Sequence, residues 1–332
     1  MTTKAIFIAT DAGYLKYTNA LLNSLDACGS KVPVYLMTYN CALKSKYTEA
    51  LMRQPFGFPV HIQEMRQADL QVELERYRAS VGREPSNNHL VKTMRMKYMM
   101  AQGLCYDSIC LLDADMIVVS PNFTNLLDLV AGTSWLVGCN EGFKWNIGPE
   151  YTLDDKPLFD PPRELHWFHC SVPIIFSMSS WKGVFEEYLR VFYGGLQLRK
   201  GNKEDIGDMF SYNIAVARCS REKDLLLLPS HQMTQVHNQG YLPWCSLQGR
   251  MGRMIARKNN EEVYVLHGRP FSPGWEQGIR NNVEKALLDA RLEPSAVNDW
   301  MSGELPRITG NVQKMWTQMA NSHKVKGTDY EL

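Results

Sequence analysis

The sequence predicts an α/β protein: a mixed, mostly parallel sheet flanked by helices, with a helical extension at the C-terminal end. Three observations carry this. Short apolar runs of strand length alternate with segments of helical periodicity from the N-terminus to about residue 118, the pattern of a sheet covered on both faces. The first apolar run reads as a strand with no polar face. After Trp275 only helical periodicity remains.

The elements follow in order. Ala5-Ile6-Phe7-Ile8-Ala9-Thr10 is the first strand and Asp11-Ala12-Gly13-Tyr14 a turn. In the next helix Tyr17, Ala20, Leu21, Ser24 and Leu25 recur at i, i+3, i+4, i+7 and i+8 on one face. Val34 to Met37 and Val60 to Ile62 are short strands. Residues 89–103 read as a helix with Leu90, Val91, Met94, Tyr98 and Ala101 as its core side. Ser108 to Leu112 is a strand ending at Asp113-Ala114-Asp115. Ligands of open α/β sheets bind beyond the carboxyl ends of strands, where Asp11 and Asp113 fall.

Residues 143–169 hold Trp145, Tyr151, Phe159, Trp167 and Phe168 among four prolines, with little periodicity. Such a stretch is either a lid or binding wall, or an aromatic plug on the core. Ser171 to Ser177 returns to a strand, 181–193 to a helix, and Leu225 to Leu228 is a core segment. Arg250, Arg253 and Arg257 are spaced as on a helix, beside Lys258. They form either a solvated face or a stripe for an anionic partner such as nucleic acid, a phospholipid headgroup or a phosphorylated glycan. Helices are expected over roughly 278–292, 295–302 and 309–321.

The 332 residues allow about two domains, or one large α/β domain with an appendage. The division expected is a catalytic domain over 1–275 and a helical extension over 276–332. Hydrophobic residues are 45% and charged residues 21%, which excludes a disordered or collagen-like chain. Thirty-six basic against 35 acidic residues leave a net charge of +1, so no global field draws the chain to nucleic acid or an anionic membrane. The opening apolar stretch is too short for a signal sequence, and no run reaches membrane-spanning length. Eight scattered cysteines without a CxxC pair read as reduced, buried thiols in a cytoplasmic protein.

The sharpest local feature is Asp113-Ala114-Asp115 behind an apolar strand. Two carboxylates one residue apart can both approach one Mn²⁺ or Mg²⁺, which takes oxygen ligands and keeps positions for phosphates. A turn with solvated acids is the plain alternative. In haloacid-dehalogenase-type phosphatases the first Asp is a nucleophile instead, but there the motif follows the first strand, and here 112 residues precede it.

Further landmarks occur in a fixed order: Ala9-Thr10-Asp11 with Tyr14, a basic helix before the Asp-x-Asp strand, Leu112 to Val118 followed by Asn125-Leu126-Leu127, Leu228-Pro229, and His267-Gly268-Arg269-Pro270. In this order, over about residues 4–275, the chain resembles the glycogenin-like retaining glycosyltransferases, glycosyltransferase family 8. The resemblance implies a GT-A, Rossmann-like fold and transfer of a hexose from a UDP-sugar to an acceptor hydroxyl with retention. It implies that Asp113, Asp115 and His267 bind Mn²⁺ (or Mg²⁺), and that Ala114 contacts the ribose. Thr10, Asp11 and the Ala12 backbone would lie at the uracil, with Tyr14 stacked on it. Arg95 and Lys97 would meet the phosphates or the donor sugar, and Gly268 and Arg269 the diphosphate. Asp208 would contact the sugar near the anomeric carbon. Departures are a compressed His267-Gly268-Arg269-Pro270-Phe271 and Phe210 where the family carries a second acid.

The competing classes are an inverting transferase, a nucleotidyltransferase, a nucleotide-sugar binding module without turnover, and the phosphatase. The acceptor, whether glycan, lipid-linked glycan, protein or nucleic acid, is not resolved, and a homodimer is left open.

Overall fold

A computed structural model describes residues 2–41, 55–169, 173–194, 196–198, 202–204, 207–228, 233–235, 246–250, 253–258, 261–267 and 294–301, with Glu284 and Leu288 singly. The elements are β1 (Lys4–Asp11), α1 (Leu15–Ala27), β2 (Val34–Tyr39), β3 (Val60–Glu64), α2 (Gln71–Val81), α3 (Asn87–Gln102), β4 (Ser108–Asp113), β5 (Met116–Val118) and β6 (Leu136–Ile147). There follow β7 (Thr152–Leu153), β8 (Lys156–Pro157), β9 (Arg163–His169), β10 (Ile174–Phe176), α4 (Met178–Gly194), β11 (Leu196–Leu198), β12 (Asn202–Glu204), α5 (Gly207–Arg218) and β13 (Leu225–Leu228). The last are β14 (Met233–Gln235), β15 (Ser246–Arg250), β16 (Arg253–Lys258), β17 (Glu261–Val263), β18 (Val265–His267) and α6 (Pro294–Met301).

The main sheet has the order β13-β6-β10-β4-β1-β2-β3, with β9 pairing β6. β1 runs parallel to β2 and β4, β2 to β3, and β13 to β6, whereas β10 and β9 run antiparallel to their neighbours. The sheet is therefore mixed and mostly parallel. β1 and β4 are buried along almost their whole length because both faces are covered. One face carries Phe7, Leu111 and Phe176 beneath α3 and α4, with Trp181 of α4 packed among them; the other carries Ile6, Ile8, Cys110 and Leu112 beneath α1.

The helices obey local rules. Tyr17, Ala20, Leu21, Ser24 and Leu25 are all buried on α1. α3 starts where Ser86 Oγ accepts the His89 N–H at 3.3 Å, a side-chain N-cap that offsets an orphan donor by about 1 kcal/mol. α2, which the sequence pattern did not single out, ends at Gly82 with φ +77°, the left-handed cap that glycine adopts without a Cβ penalty.

Several expectations are corrected. Ala101 is exposed rather than core-facing. Leu225–Leu228 is an edge strand with Leu226 at the surface, since among the described residues it has a neighbour on one side only. Arg250 and Arg253 are not on a helix but pair across the β15–β16 hairpin, where Arg257 lies opposite Ser246. The 143–169 stretch is largely strand, and Leu153, Leu158 and Leu165 with the partly buried Tyr151 and Phe159 form a small core against α4 and α5. For those residues the plug reading holds.

Of the six described cysteines three are buried and Cys105 is exposed, against the expectation of uniform burial. Among the described residues no helix is long and apolar enough to cross a membrane. Of the expected C-terminal helices, the middle one is α6, which packs on α1 with Val297 buried; 278–292 and 309–321 lie outside the described residues apart from Glu284 and Leu288.

Candidate metal centre at the carboxyl edge of the sheet

Strand register assembles the site. β1 and β4 lie side by side with Ala9 opposite Asp113, so Asp11 and Asp113 both end at the carboxyl edge. The chain turns at Asp113-Ala114-Asp115 into β5, which pairs antiparallel with β18 and sets His267 opposite Met116. Two anchors fix this second sheet: the Val118 N–H donates to Ser24 Oγ of α1 at 3.0 Å, and Glu262 accepts from Ser120 and Asn122.

The result is a compact donor group. Ligand atoms of Asp113, Asp115 and His267 all lie within 4.8 Å of one another. His267 Nε2 is 3.5 Å from Asp115 Oδ1 and 3.8 Å from Asp113 Oδ2. Two carboxylate oxygens and one imidazole nitrogen, nearly dry and converging on one point, suit Mn²⁺ and related divalent ions.

Helix α3 lays a basic face along this group. His89, Lys92 and Arg95 recur every three residues, so they form one ridge. Arg95 Nη1 donates to Asp113 Oδ1 at 2.7 Å and to the Leu112 carbonyl at 3.1 Å. Lys92 Nζ lies 2.8 Å from Asp208 Oδ2 and 3.5 Å from Asp113 Oδ2. His89 Nε2 is 4.0 Å from Asp208 Oδ1. Lys97, two residues past Arg95, instead bonds Glu73 at 2.7 Å and the Asp69 carbonyl at 2.6 Å. It is therefore not brought to the carboxylates, because residues two apart on a helix face different ways.

These neighbours set the proton equilibria. Burial alone would raise Asp113, but Lys92, Arg95 and His267 outweigh it and hold the carboxyl well below the usual range. Burial likewise opposes the lowering of Asp115, which His267 prevails in producing, and of Asp208, which Lys92 and His89 produce. Burial pushes His267 down, yet its bond to Asp115 and the two acids carry it above its ordinary value. All three acids are thus held ionised, the form that ligates cations.

At the start of α1, Asp11 Oδ1 accepts the Gly13 and Tyr14 N–H groups at 2.9 and 3.0 Å, an Asx turn that closes the strand end. Thr10 is buried, its hydroxyl receiving that of Thr18 at 2.8 Å, while Ala12 is exposed and Tyr14 half-buried. Ala114 is buried between the two acids. Gly268 and Arg269 lie outside the described residues.

Lys92 and His89 were not singled out from the sequence. The signal was their three-residue spacing with Arg95, but their partner Asp208 is more than a hundred residues away.

No protein-family model matches the chain, and no curated protein matches it by sequence. Solved structures do. The galactosyltransferase LgtC, solved with donor and acceptor sugar analogs, is 13% identical over 91% of this chain and 98% of its own, with a TM-score of 0.51. The bifunctional glycosyltransferase WbbM is 12% identical with a TM-score of 0.52, and the glycosyltransferase GlyE of Streptococcus pneumoniae TIGR4 is 14% identical with a TM-score of 0.50. The chain covers 91% of itself in both matches but spans only 52% of WbbM and 64% of GlyE. These likenesses, at such identities, speak for the fold: the chain has the GT-A architecture of glycosyltransferases, with a buried Asp–Asp–His group at the carboxyl edge of its sheet that could bind a metal.

Proposed function

We propose that the chain is a metal-dependent glycosyltransferase of the glycogenin-like kind, acting in the cytoplasm and moving a hexose from a UDP-sugar to an acceptor hydroxyl with retention. The observation that carries this is the convergence of Asp113, Asp115 and His267 within 4.8 Å beside the basic ridge of α3. The donor set fits Mn²⁺ or Mg²⁺. Such an ion, when bound, offsets charge on a diphosphate leaving group.

The chain's own residues then have defined tasks. Arg95 holds Asp113 in one orientation, so the carboxylate does not rotate when a ligand arrives. The Asp11 turn presents the Ala12 backbone and Tyr14 to the uracil, with Thr10 bracing the turn from beneath. The small Ala114 leaves the backbone open to the ribose. Gly268 and Arg269 would face the diphosphate. Asp208 lies across from Asp113 through Lys92, where it would meet the donor sugar near the anomeric carbon. An oxocarbenium-like transition state requires charge stabilisation and positioning more than a strong nucleophile. Lys97 has no part in this account, because Glu73 and the Asp69 carbonyl occupy it.

The test is nucleotide release from UDP-, GDP- and TDP-sugars, with Mn²⁺ or with EDTA, by the wild type and Asp115→Ala. The expected result is UDP release that needs the metal and disappears in the variant. Failure to bind any nucleotide or Mn²⁺ would overturn the reading.

A further inference from the structure

Lys92 stands between two carboxylates that come from different elements. Asp208 opens α5 and Asp113 ends β4, and the Lys92 ammonium reaches both, at 2.8 Å and 3.5 Å. The asymmetry matters. Toward Asp208 the contact has hydrogen-bond length; toward Asp113 it is a charge contact only. The Asp113 oxygen it faces, Oδ2, is also the one 3.8 Å from His267 Nε2, because Arg95 holds Oδ1. Lys92 therefore competes for the oxygen turned toward the candidate cation position.

We propose that Lys92 is a positioning residue that sets the cation affinity of the Asp113–Asp115–His267 group, with Asp208 drawing the ammonium off Asp113 so that a divalent cation can take its place. This rests on the metal-dependent reading above. Lysine suits the role: its charge is compact and its four-carbon stem flexible, so it can shift between acceptors without rebuilding the helix. Arg95, nearly fully buried and bonded to a backbone carbonyl as well, cannot move in this way. Together the two basic residues give the site a fixed cation and a movable one.

The consequence is a pattern of signs that damage to the fold would not produce. Loss of the ammonium removes a positive charge beside the cation position and tightens binding. Loss of the Asp208 charge releases Lys92 onto Asp113 and weakens binding. Once Lys92 is gone, Asp208 has no ammonium to restrain, so its removal matters far less. Asp208 acting on the cation directly would weaken binding equally in both backgrounds.

The experiment measures Mn²⁺ binding to the full chain, without nucleotide, from the paramagnetic resonance signal of free Mn²⁺. The proteins are wild type, Lys92→Met, Asp208→Asn, the double variant and Lys97→Met as a control, each checked for folding by circular dichroism. Lys92→Met is expected to tighten binding about tenfold, the size of one like charge removed at close range. Asp208→Asn should weaken it several-fold, the double variant should follow Lys92→Met, and Lys97→Met should match wild type. Equal loss in both single variants, no change in either, or an undiminished Asp208 effect in the double variant would overturn the role of Lys92 while the metal site stands. A wild type that binds no Mn²⁺ would overturn the metal reading and this proposal together. Should Lys92→Met not fold, Lys92→Gln takes its place with the same expected signs.

Discussion

Two clusters of acids and bases among the described residues have compositions that are nearly mirror images. On the outside, Glu187 of α4 accepts from Arg190 at 2.8 Å and from Arg218 at 2.5 Å, while Asp154 at the β7–β8 hairpin accepts from Arg190 at 2.9 Å and Arg76 at 3.1 Å. Three guanidinium groups thus serve the half-exposed Asp154 and the more covered Glu187, and the cluster straps the hairpin to α2, α4 and α5. At the carboxyl edge of the sheet, three carboxylates, Asp113, Asp115 and Asp208, meet two permanent cations, Lys92 and Arg95. Among the described residues the outer cluster has more guanidinium groups than carboxylates and is screened by water; the inner one has more carboxylates than permanent cations and is nearly dry. Charged side chains alone do not mark a site. A buried surplus of one sign does, since only there does a ligand of the other sign complete the balance.

That contrast can be broken at several strengths. The largest effect belongs to Asp115→Ala, which should cost at least about a hundredfold in Mn²⁺ affinity and in nucleotide release while the thermal unfolding midpoint moves little; titration with Mn²⁺ followed by a melt reads both. Next is Arg95→Met. It strips a buried carboxylate of its fixed partner and should destabilise the chain by about 3 kcal/mol in urea unfolding. A cost no greater than that of a surface pair would erase the distinction between the clusters. Arg218→Ala, on the outside, should cost no more than roughly 1 kcal/mol and leave Mn²⁺ binding unchanged.

The smallest effect is one of pH. Burial alone would raise Glu187, but its bonds to Arg190 and Arg218 outweigh it and lower the group below its ordinary 4.5. A carboxyl lowered by folding stabilises above the unfolded value and loses that contribution as pH falls through the folded one. Glu187→Gln should therefore flatten the acid limb below pH 4.5 by less than about 1 kcal/mol. Stability measured at pH 7 and pH 3.5 in both proteins gives the difference.

What the sequence made legible follows the same division. β1, α1, β2, β3 and β4 were readable because their signals are local: unbroken apolar runs and a clean face of five residues on one helix. Asp113 and Asp115 were readable as a pair at a strand end. His267 came forward only through the order of landmarks, since nothing near it in the chain shows what it faces. Lys92 escaped because its meaning lies in Asp208, brought near by tertiary packing rather than by spacing. The arginines at 250, 253 and 257 misled for a related reason. Their spacing fits a helix, but Arg250 pairs with Arg253 across a hairpin, and strand pairing decided the outcome. Four consecutive leucines likewise read as core, yet an edge strand leaves one of them at the surface.

His267 arrives from some 150 residues beyond Asp115, through a three-residue strand that pairs with β5. Contacts so far apart in sequence carry a large loop-closure entropy, so this corner of the molecule is expected to complete after the local elements have formed. A cation held jointly by both sides would act as a clasp whose closing reports that the intervening chain is correctly threaded. Exchange of the β18 amides with solvent should then slow on addition of Mn²⁺, while amides of β1 keep their rate, and an ion bound there would double as the seal on the finished fold.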